Sequence, residues 1–338
     1  MATAGAVTWL SGGSGGGGGD GVAATGAPAG GPLGAPASAS AAGRRERARM
    51  PLRIREVYAE NLEDEIRNLS NLVAGGKYTV LAMDTEFPGV VARPLGTFAN
   101  GADFMYHCMR CNVDLLNVIQ IGICVADADG RLPGMEDAAA DVWQFNFAFS
   151  VERDLCAQES IALLTEAGID FEAHARHGID PLRFGELLMT SGIVLNEQVT
   201  WVTFHSGYDF GYLIKICTAD ALPEDEREFH ELLQLFFPRV YDVKVLMERL
   251  ELRGGLNRLA ETLQVRRYGP IHQAGSDALL TLDVFERLGE AYAHALDLGQ
   301  CMNQVHGLGR WPAETSADDS TPSALRLNHD TEGGKREE

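Results

Sequence analysis

The chain has 338 residues, which suits one large domain or two ordinary ones, and 45 % of them are apolar, as is normal for a globular protein. Its formal net charge is −20, from 48 acidic and 28 basic residues. This charge disfavours a protein that holds nucleic acid by neutralising phosphates over a broad surface, because such proteins are usually basic. Any contact with nucleic acid must therefore be confined to a local site, for instance one that holds bound cations. No apolar stretch reaches the ~20 residues of a membrane-spanning helix, so no membrane contact is predicted.

Both ends of the chain have the composition of disordered tails. Residues 1–50 are dominated by glycine and alanine, and residues 312–338 are rich in small polar and charged residues. Such segments cannot bury enough apolar surface to offset the entropy lost on ordering. One continuous domain is therefore predicted over residues 51–311. The cysteines are spread along the chain without a secretory signal, which predicts reduced thiols.

The region between the tails alternates between strand-like and helix-like patterns. The predicted strands are 78–83, 117–126, 142–149 and 199–205. The predicted helices fall within 180–192, 254–265 and 276–296. The first of these helices has Asp180 as N-cap and Pro181 at its first position. Strands come early and helices dominate later, which predicts an α/β fold in which a mixed sheet is flanked by helices.

The first predicted strand ends in VLAMDTEFPG, at residues 80–89. Side chains alternate between the two faces of a strand, so Asp84 and Glu86 share a face and Thr85 takes the other. Two carboxylates this close raise each other's pKa unless a positive group lies between them. The stretch is either a charged strand end that leads into a turn or a site for a hard divalent cation, which prefers carboxylate oxygens.

A second acid follows the predicted strand at 199–205, in WVTFHSGYDFGYLIK. Asp209 opens a helix, where a carboxylate is favourable in any case, and His205 is interpreted as a core histidine with a satisfied ring. Asp242, in VYDVKVL, competes with Asp209 because it too follows apolar residues and precedes a helix. Trp143 and Trp201 are predicted to lie in the core.

A third acid lies in PIHQAGSDALLTLDVF, at residues 270–285. His272 precedes Asp277 by five residues, and a long helix begins near Ser276, which could serve as its cap. This spacing suits a carboxylate ligand beside a histidine that can take a proton from a metal-held water. Two other patterns are interpreted without a function: Cys108-x-x-Cys111 as ordinary thiols, and His174-x-x-His177 as part of a solvated loop or helix face.

The acids share one kind of position in the predicted fold. Each of Asp84, Glu86, Asp209 and Asp277 lies at a strand end or a helix start, where α/β folds place their sites. Four converging carboxylates would repel one another strongly without cations, and two Mg²⁺ ions would offset that charge. Two ions roughly 3.5–4 Å apart are the usual arrangement for in-line displacement at phosphorus.

The order Asp-x-Glu, a distant Asp and then His-x₄-Asp is similar to that of the DEDD exonucleases, which have a ribonuclease-H-like fold. A closer resemblance, over about 52–310, is to the Caf/Pop-type deadenylases, the catalytic subunits of the Ccr–Not complex. The segments that carry it are DTEFPGVVARP, RCNVDLL, WQFNF, ELLMTSGIV, FHSGYDFGYLIK, LFFP, YDVK, GGL and HQAGSDALLT. These segments are long and keep their order, so chance explains them poorly.

The resemblance implies 3′→5′ shortening of the poly(A) tails of messenger RNA, with release of AMP. It also implies that the Not scaffold and a Ccr-type nuclease are partners and that the protein resides in the cytoplasm and nucleus. The metal ligands would be Asp84, Glu86, Asp209 and Asp277, with Mg²⁺ or Mn²⁺ as the ions, and His272 would complete the catalytic set.

We assign hypothetical roles on that basis. Asp84 bridges both ions, Glu86 and Asp277 complete the ion that holds the attacking water, and Asp209 serves the ion near the leaving 3′ oxygen. His272 accepts the proton of the water, which suits its reference pKa near 6.5. Three aromatic residues beside the acids either stack on adenines or pack in the core; they are Phe87, Tyr208 and Phe210.

Two other classes stay open from the sequence. A non-catalytic scaffold could keep the fold, although it would be expected to lose one of the five residues and none is lost. A DNA exonuclease of the same superfamily would share the metals and differ in its contact with the 2′-OH. Target transcripts, metal preference and regulation are not readable from the sequence.

Overall fold

The computed structural model of the chain describes residues 50–137 and 139–308. Except for Met50, the predicted tails at 1–50 and 312–338 lie outside these residues, and the domain limits at 51 and 311 stay predictions. Within the described part, no helix combines the length and the apolar character needed to cross a membrane.

Six strands form a single mixed sheet at the centre of the fold. They are β1 (Leu52–Val57), β2 (Tyr78–Glu86), β3 (Gln120–Asp127), β4 (Ala140–Asn146), β5 (Thr200–Thr203) and β6 (Val240–Asp242). Their order across the sheet is β1-β4-β3-β2-β5-β6. β3 runs antiparallel to both of its neighbours, and the other strand pairs are parallel. Because β3 and β4 are covered on both faces, their residues are buried along their whole length.

The described part of the chain also contains eleven α-helices. They are α1 (Leu62–Ala74), α2 (Gly101–Leu115), α3 (Gln158–Glu166), α4 (Phe171–His177), α5 (Pro181–Thr190), α6 (Gly207–Thr218), α7 (Glu226–Phe236), α8 (Val243–Arg249), α9 (Leu256–Leu263), α10 (Ala274–Ala291) and α11 (Leu298–Cys301). The prediction for α5 is confirmed, since the Asp180 carboxylate accepts a hydrogen bond from the Leu182 N–H. α10 begins two residues before Ser276, so Ser276 is not its cap.

Two hydrophobic clusters cover the two faces of the sheet. Leu81 and Met83 of β2 belong to a cluster completed by α1, α2, α5, α6 and α7, which we call the α6-side cluster. Ala82 belongs to a second cluster completed by α8, α9 and α10, the α10-side cluster. Trp143 and Trp201 are buried in the α6-side cluster, as predicted. Since neighbouring residues of β2 alternate between clusters, each face of this strand meets a different layer of helices.

Small residues on β3 let α10 approach the sheet closely. Cys124 and Ala126 belong to the α10-side cluster, and Gly122 lies on the same face by strand alternation. A Cβ atom added at Gly122 would overlap the carbonyl group of Ala274 and the amide nitrogen of Gly275. The backbone at the start of α10 therefore rests directly on the backbone of β3.

The interpretation of His174 as part of a solvated surface is wrong. Its side chain is buried, and its Nδ1 lies 2.8 Å from the carbonyl oxygen of Phe147 at the end of β4. Burial lowers its pKa, so the neutral ring is favoured. Cys108 and Cys111 are free thiols on α2, and burial raises the pKa of Cys108 to about 11.

Candidate metal and catalytic site

Asp84 and Glu86 lie at the carboxyl end of β2, near the centre of the sheet. They share the face of Ala82, which packs on α10, as the alternation of the strand predicts. Asp84 is paired across the sheet with Gly122, at the point where α10 comes closest. Glu86 is only 3 % exposed, so its carboxyl group has little access to bulk water.

Asp209 reaches this region from the opposite face of β2. It lies in the first turn of α6, where a carboxylate is favourable, and it is 7 % exposed. The hydroxyl group of Thr85 donates a hydrogen bond of 2.5 Å to Asp209 Oδ1. Thr85 lies between Asp84 and Glu86 in the chain, so its hydrogen bond holds Asp209 of α6 at the carboxyl end of β2.

Asp277 and His272 come from the start of α10 and the loop before it. Asp277 lies in the first turn of the helix, and its Oδ2 accepts a 3.1 Å hydrogen bond from the backbone N–H of His272. His272 has a φ of 62°, in the left-handed region that non-glycine residues rarely adopt. This backbone conformation and the hydrogen bond together place the imidazole beside the carboxylates.

The predicted site residues converge, although not all to the same distance. Single ligand atoms of Glu86, His272 and Asp277 lie within 4.8 Å of one another. Burial, followed by the charges of Asp277 and Asp209, raises the pKa of Glu86 well above its ordinary value. The same causes raise the pKa of Asp84, and burial raises that of Asp209 to about 7. The four acids are therefore close enough to affect one another's ionisation, and His272 is close enough to affect that of Asp277.

The residues fit a site for divalent cations. Carboxylate oxygens are the preferred ligands of Mg²⁺ and Mn²⁺. Buried carboxylates with raised pKa values are poorly satisfied by the protein alone, and a cation would relieve them. Glu86 and Asp277 would hold one ion, with His272 beside it, and Asp84 and Asp209 would be available to a second.

Two buried glutamines fix the start of α10, and sequence reasoning missed both. The side-chain oxygen of Gln120 accepts a hydrogen bond from the Ala274 N–H, and that of Gln144 accepts one from the Gly275 N–H. Amide groups at a helix start have no partner within the helix, so these glutamines satisfy two of them. The only sequence signal was polar residues inside buried strands, which does not reveal their partner.

Asp242, the alternative to Asp209, is engaged in hydrogen bonds with the backbone. It is fully buried, and both carboxylate oxygens accept hydrogen bonds. The donors are the backbone N–H groups of His205, Ser206, Lys244 and His306, at 2.7–3.1 Å. The structure therefore does not support Asp242 as a ligand. It holds the segment that leads into α6, and so it positions Asp209 indirectly.

Asp242→Asn is expected to lower the free energy of unfolding by about 2–3 kcal/mol. The backbone N–H groups would lose a charged acceptor, and the NH₂ group of the asparagine would face some of these donors. Urea unfolding measures this loss. Below the unfolding transition, Mn²⁺ affinity measured by calorimetry is expected to stay close to that of the wild type. Loss of Mn²⁺ binding without loss of stability would instead identify Asp242 as a ligand.

The three aromatic residues named from the sequence differ in exposure. Phe210 is fully buried against Phe237, which favours core packing, one of the two roles that the sequence left open for it. Phe87 is 9 % exposed and stacks flat on Tyr208, with ring centroids 4.9 Å apart. Tyr208 is half-buried, so of the three its ring has the most accessible surface for a base. Base stacking on Tyr208 stays a prediction.

The raised pKa values predict how metal and pH act together on stability. Without metal, the folded protein keeps protons on these acids that the unfolded chain releases near pH 4, so the acids lower stability as the pH rises. For Asp209 this window extends from about pH 4 to about pH 7. The stabilisation by Mg²⁺, measured as the difference between melting temperatures with Mg²⁺ and with EDTA, is expected to grow across this window.

The difference between the two melting temperatures reports on the site, because titrating groups elsewhere contribute equally in Mg²⁺ and in EDTA. Burial lowers the pKa of His174, which makes stability rise with pH near neutrality, but His174 contributes equally with and without metal. Asp209→Asn is expected to flatten the pH dependence of the difference. A difference that is constant from about pH 5 to about pH 8 in the wild type would contradict the coupling.

A mixed sheet that gathers buried carboxylates and a histidine at the end of a central strand defines a metal-dependent hydrolase of the kind that acts on phosphodiesters. Residues 57–183 and 191–285 match the model of the CAF1 family ribonuclease. The chain is 48 % identical over 257 residues to poly(A) ribonuclease pop2 of Schizosaccharomyces pombe, covering 76 % of this chain and 75 % of that protein. This chain belongs to the CAF1 family of ribonucleases.

Two solved structures are similar over most of the domain. S. pombe Pop2p in its Mg²⁺- and Mn²⁺-bound form has a TM-score of 0.72 and 47 % identity, covering 75 % of this chain and 99 % of that one. The yeast NOT1 MIF4G domain co-crystallised with CAF1 gives a match with a TM-score of 0.62 and 32 % identity, covering 75 % and 96 %. The predicted α/β fold, a mixed sheet flanked by helices, is confirmed.

Proposed function

We propose that this protein is a poly(A)-specific 3′→5′ exoribonuclease that shortens mRNA tails and releases AMP, with two divalent cations, Mg²⁺ or Mn²⁺, as cofactors. The observation that carries the proposal is the cluster of buried Glu86 and Asp277 with half-buried His272 in a chain of this family. The relative from S. pombe is a poly(A) ribonuclease, and its solved structure contains Mg²⁺ and Mn²⁺, which supports the substrate and the cofactors.

The side chains have distinct tasks in this proposal. Asp84, Glu86, Asp209 and Asp277 would hold the cations, which supply an activated water and stabilise the departing 3′ oxygen. His272 accepts the proton of the water. Burial lowers the pKa of His272, so the neutral, proton-accepting ring predominates at neutral pH. The backbone N–H of His272 donates to Asp277, which limits movement of the loop that carries the ring.

His272→Asn is expected to lower the rate of cleavage by about 10²–10⁴-fold, the usual contribution of a general base. Asparagine tolerates the left-handed backbone of this position, so the loop should keep its conformation. Calorimetric titration with Mn²⁺ is expected to show retained binding. Full turnover in this variant would exclude the general-base role, and lost Mn²⁺ binding would make His272 a ligand instead.

The reaction itself is tested with a 5′-labelled RNA that ends in oligo(A), incubated with Mg²⁺, Mn²⁺ or EDTA. A metal-dependent ladder that shortens from the 3′ end and stalls at the first non-adenosine residues is expected. The same oligonucleotide as DNA, and an RNA ending in oligo(U), are the matched controls. Equal cleavage of the DNA would favour the DNA exonuclease alternative, and an intact substrate under every metal would favour a scaffold.

We also propose docking on the Not scaffold, association with a Ccr-type nuclease, and residence in the cytoplasm and nucleus. The co-crystal of the yeast NOT1 MIF4G domain with CAF1 supports the scaffold partner. The Ccr-type nuclease and the localisation rest on the sequence resemblance. Co-purification of both partners with the tagged full chain, from separated nuclear and cytoplasmic fractions, tests these three proposals.

A further inference from the structure

Arg267 is a partly buried positive group beside the candidate metal site. It lies in the loop between α9 and α10, and its side chain is 17 % exposed. Its Nη2 forms an ion pair with Asp277 Oδ1. The other oxygen of this carboxylate, Oδ2, accepts the N–H of His272. Both oxygens of a proposed metal ligand are thus already engaged, one of them by a cation of the protein itself.

The rest of the guanidinium is held by the surrounding loop and helix. Nε and Nη2 donate to Asn257 Oδ1 of α9 at 3.0 and 2.7 Å. Nη1 donates to the carbonyl oxygen of Pro270 at 3.1 Å, two residues before His272. This arrangement suits arginine, because its donors lie on three nitrogens of a rigid planar group, whereas the three donors of lysine all lie on one nitrogen. Arg267 therefore connects α9, the His272 loop and Asp277.

The positive charge also acts on the acids of β2. Arg267 is a nearby positive group that lowers the pKa of Asp84 and Glu86, against the larger effects of burial and of the other acids. In the absence of metal it thus offsets part of the repulsion within the cluster. A divalent cation bound to Asp277 would meet this same charge, which repels it.

We propose that Arg267 is a positioning residue that stands in for a cation: it keeps Asp277 and the His272 loop assembled without metal and weakens the binding of the divalent ion. The inference rests on the proposed metal site and adds to it a determinant of metal affinity. Because the guanidinium holds the site in place when it is empty, the protein does not depend on metal in order to fold.

The test compares Arg267→Gln with Arg266→Gln, an identical loss of charge at the neighbouring, exposed position whose guanidinium lies over Tyr268. Mn²⁺ and Mg²⁺ binding are measured by calorimetry, and melting temperatures are measured in EDTA and in excess Mg²⁺. Arg267→Gln is expected to bind metal about tenfold more tightly, because a nearby like charge is removed. It is also expected to melt earlier in EDTA and to gain more from Mg²⁺ than the wild type. Arg266→Gln should match the wild type.

A third variant separates charge from hydrogen bonding. Arg267→Lys keeps the charge and is expected to bind metal within about threefold of the wild type. The inference would be overturned if metal affinity rose equally in the lysine and glutamine variants. It would also be overturned if a folded Arg267→Gln bound metal with unchanged or weaker affinity. If Arg267→Gln does not fold in EDTA, recovery of its circular dichroism on addition of Mg²⁺ supports the inference, and failure to recover overturns it.

The metal titration of the wild type separates this inference from the proposed function. If the wild type binds neither Mn²⁺ nor Mg²⁺, the proposed metal-dependent function and the inference both fail. If the wild type binds metal and Arg267→Gln binds it no more tightly, only the inference fails.

Discussion

Glu86→Gln is expected to reduce metal-dependent cleavage of an oligo(A)-tailed RNA by about 10³-fold or more, while raising the melting temperature of the metal-free protein. A lost metal ligand removes several kcal/mol of transition-state stabilisation, and each 1.36 kcal/mol is about tenfold in rate. Burial and the neighbouring acids raise the pKa of Glu86, so its ionised form destabilises the empty site at neutral pH. The neutral amide has nearly the same shape and lacks that charge.

The opposite signs of these two effects distinguish a functional acid from a structural one. Cleavage is followed on a denaturing gel, and melting is measured at about pH 7.5 in EDTA, above the reference pKa of glutamate. Glu197→Gln, the same substitution at an exposed position, is expected to change neither quantity. A fall in metal-free stability together with unchanged cleavage would show that Glu86 supports the fold and not the reaction.

Gly122→Ala is expected to lower stability by about 3 kcal/mol or more and to reduce cleavage by about 10²-fold in the protein that still folds. The added methyl group would overlap the backbone of Ala274 and Gly275, which cannot move aside as a flexible side chain could. α10 would have to shift away from β3 and carry Asp277 away from Glu86. A displacement near 1 Å is enough to cost about 10²-fold in rate.

Gly289→Ala is the matched control for this substitution, since Gly289 lies in the same helix and nothing is within 4 Å of its added Cβ. Alanine is the better helix former, so this control should be stabilised by up to about 1 kcal/mol. Urea unfolding and calorimetric titration with Mn²⁺ measure both variants. Normal Mn²⁺ affinity in Gly122→Ala would show that the close contact does not set the geometry of the site.

Much of the fold and site was predictable because it follows from local pattern. The alternation of β2 predicted that Asp84 and Glu86 share a face, and the cap at Asp180 predicted the start of α5. Strands β1 and β6 were missed. β1 contains Arg53 and Arg55, and β6 has three residues, so neither shows a clear apolar period.

The unpredicted parts of the site depend on tertiary contacts between distant segments. The amide oxygens of Gln120 and Gln144 meet the start of α10, more than 120 positions away in the chain. Phe210 adjoins Asp209 in sequence, which left base stacking and core packing both open, and only the packing of the helix shows that it lies in the core. His174 was interpreted as exposed because its partner, the Phe147 carbonyl, lies on a strand whose position depends on the topology.

The acids of the site are supported by different layers of the molecule. Asp277 and His272 depend on α10 and the α10-side cluster, whereas Asp209 depends on α6 and the α6-side cluster. Native proteins open locally in cooperative parts, so one layer can open while the other stays folded. Opening of either layer would separate Asp209 from Asp277 and His272. The lifetime of a competent site is therefore set by the layer that opens more easily, and it can be much shorter than the lifetime of the folded chain.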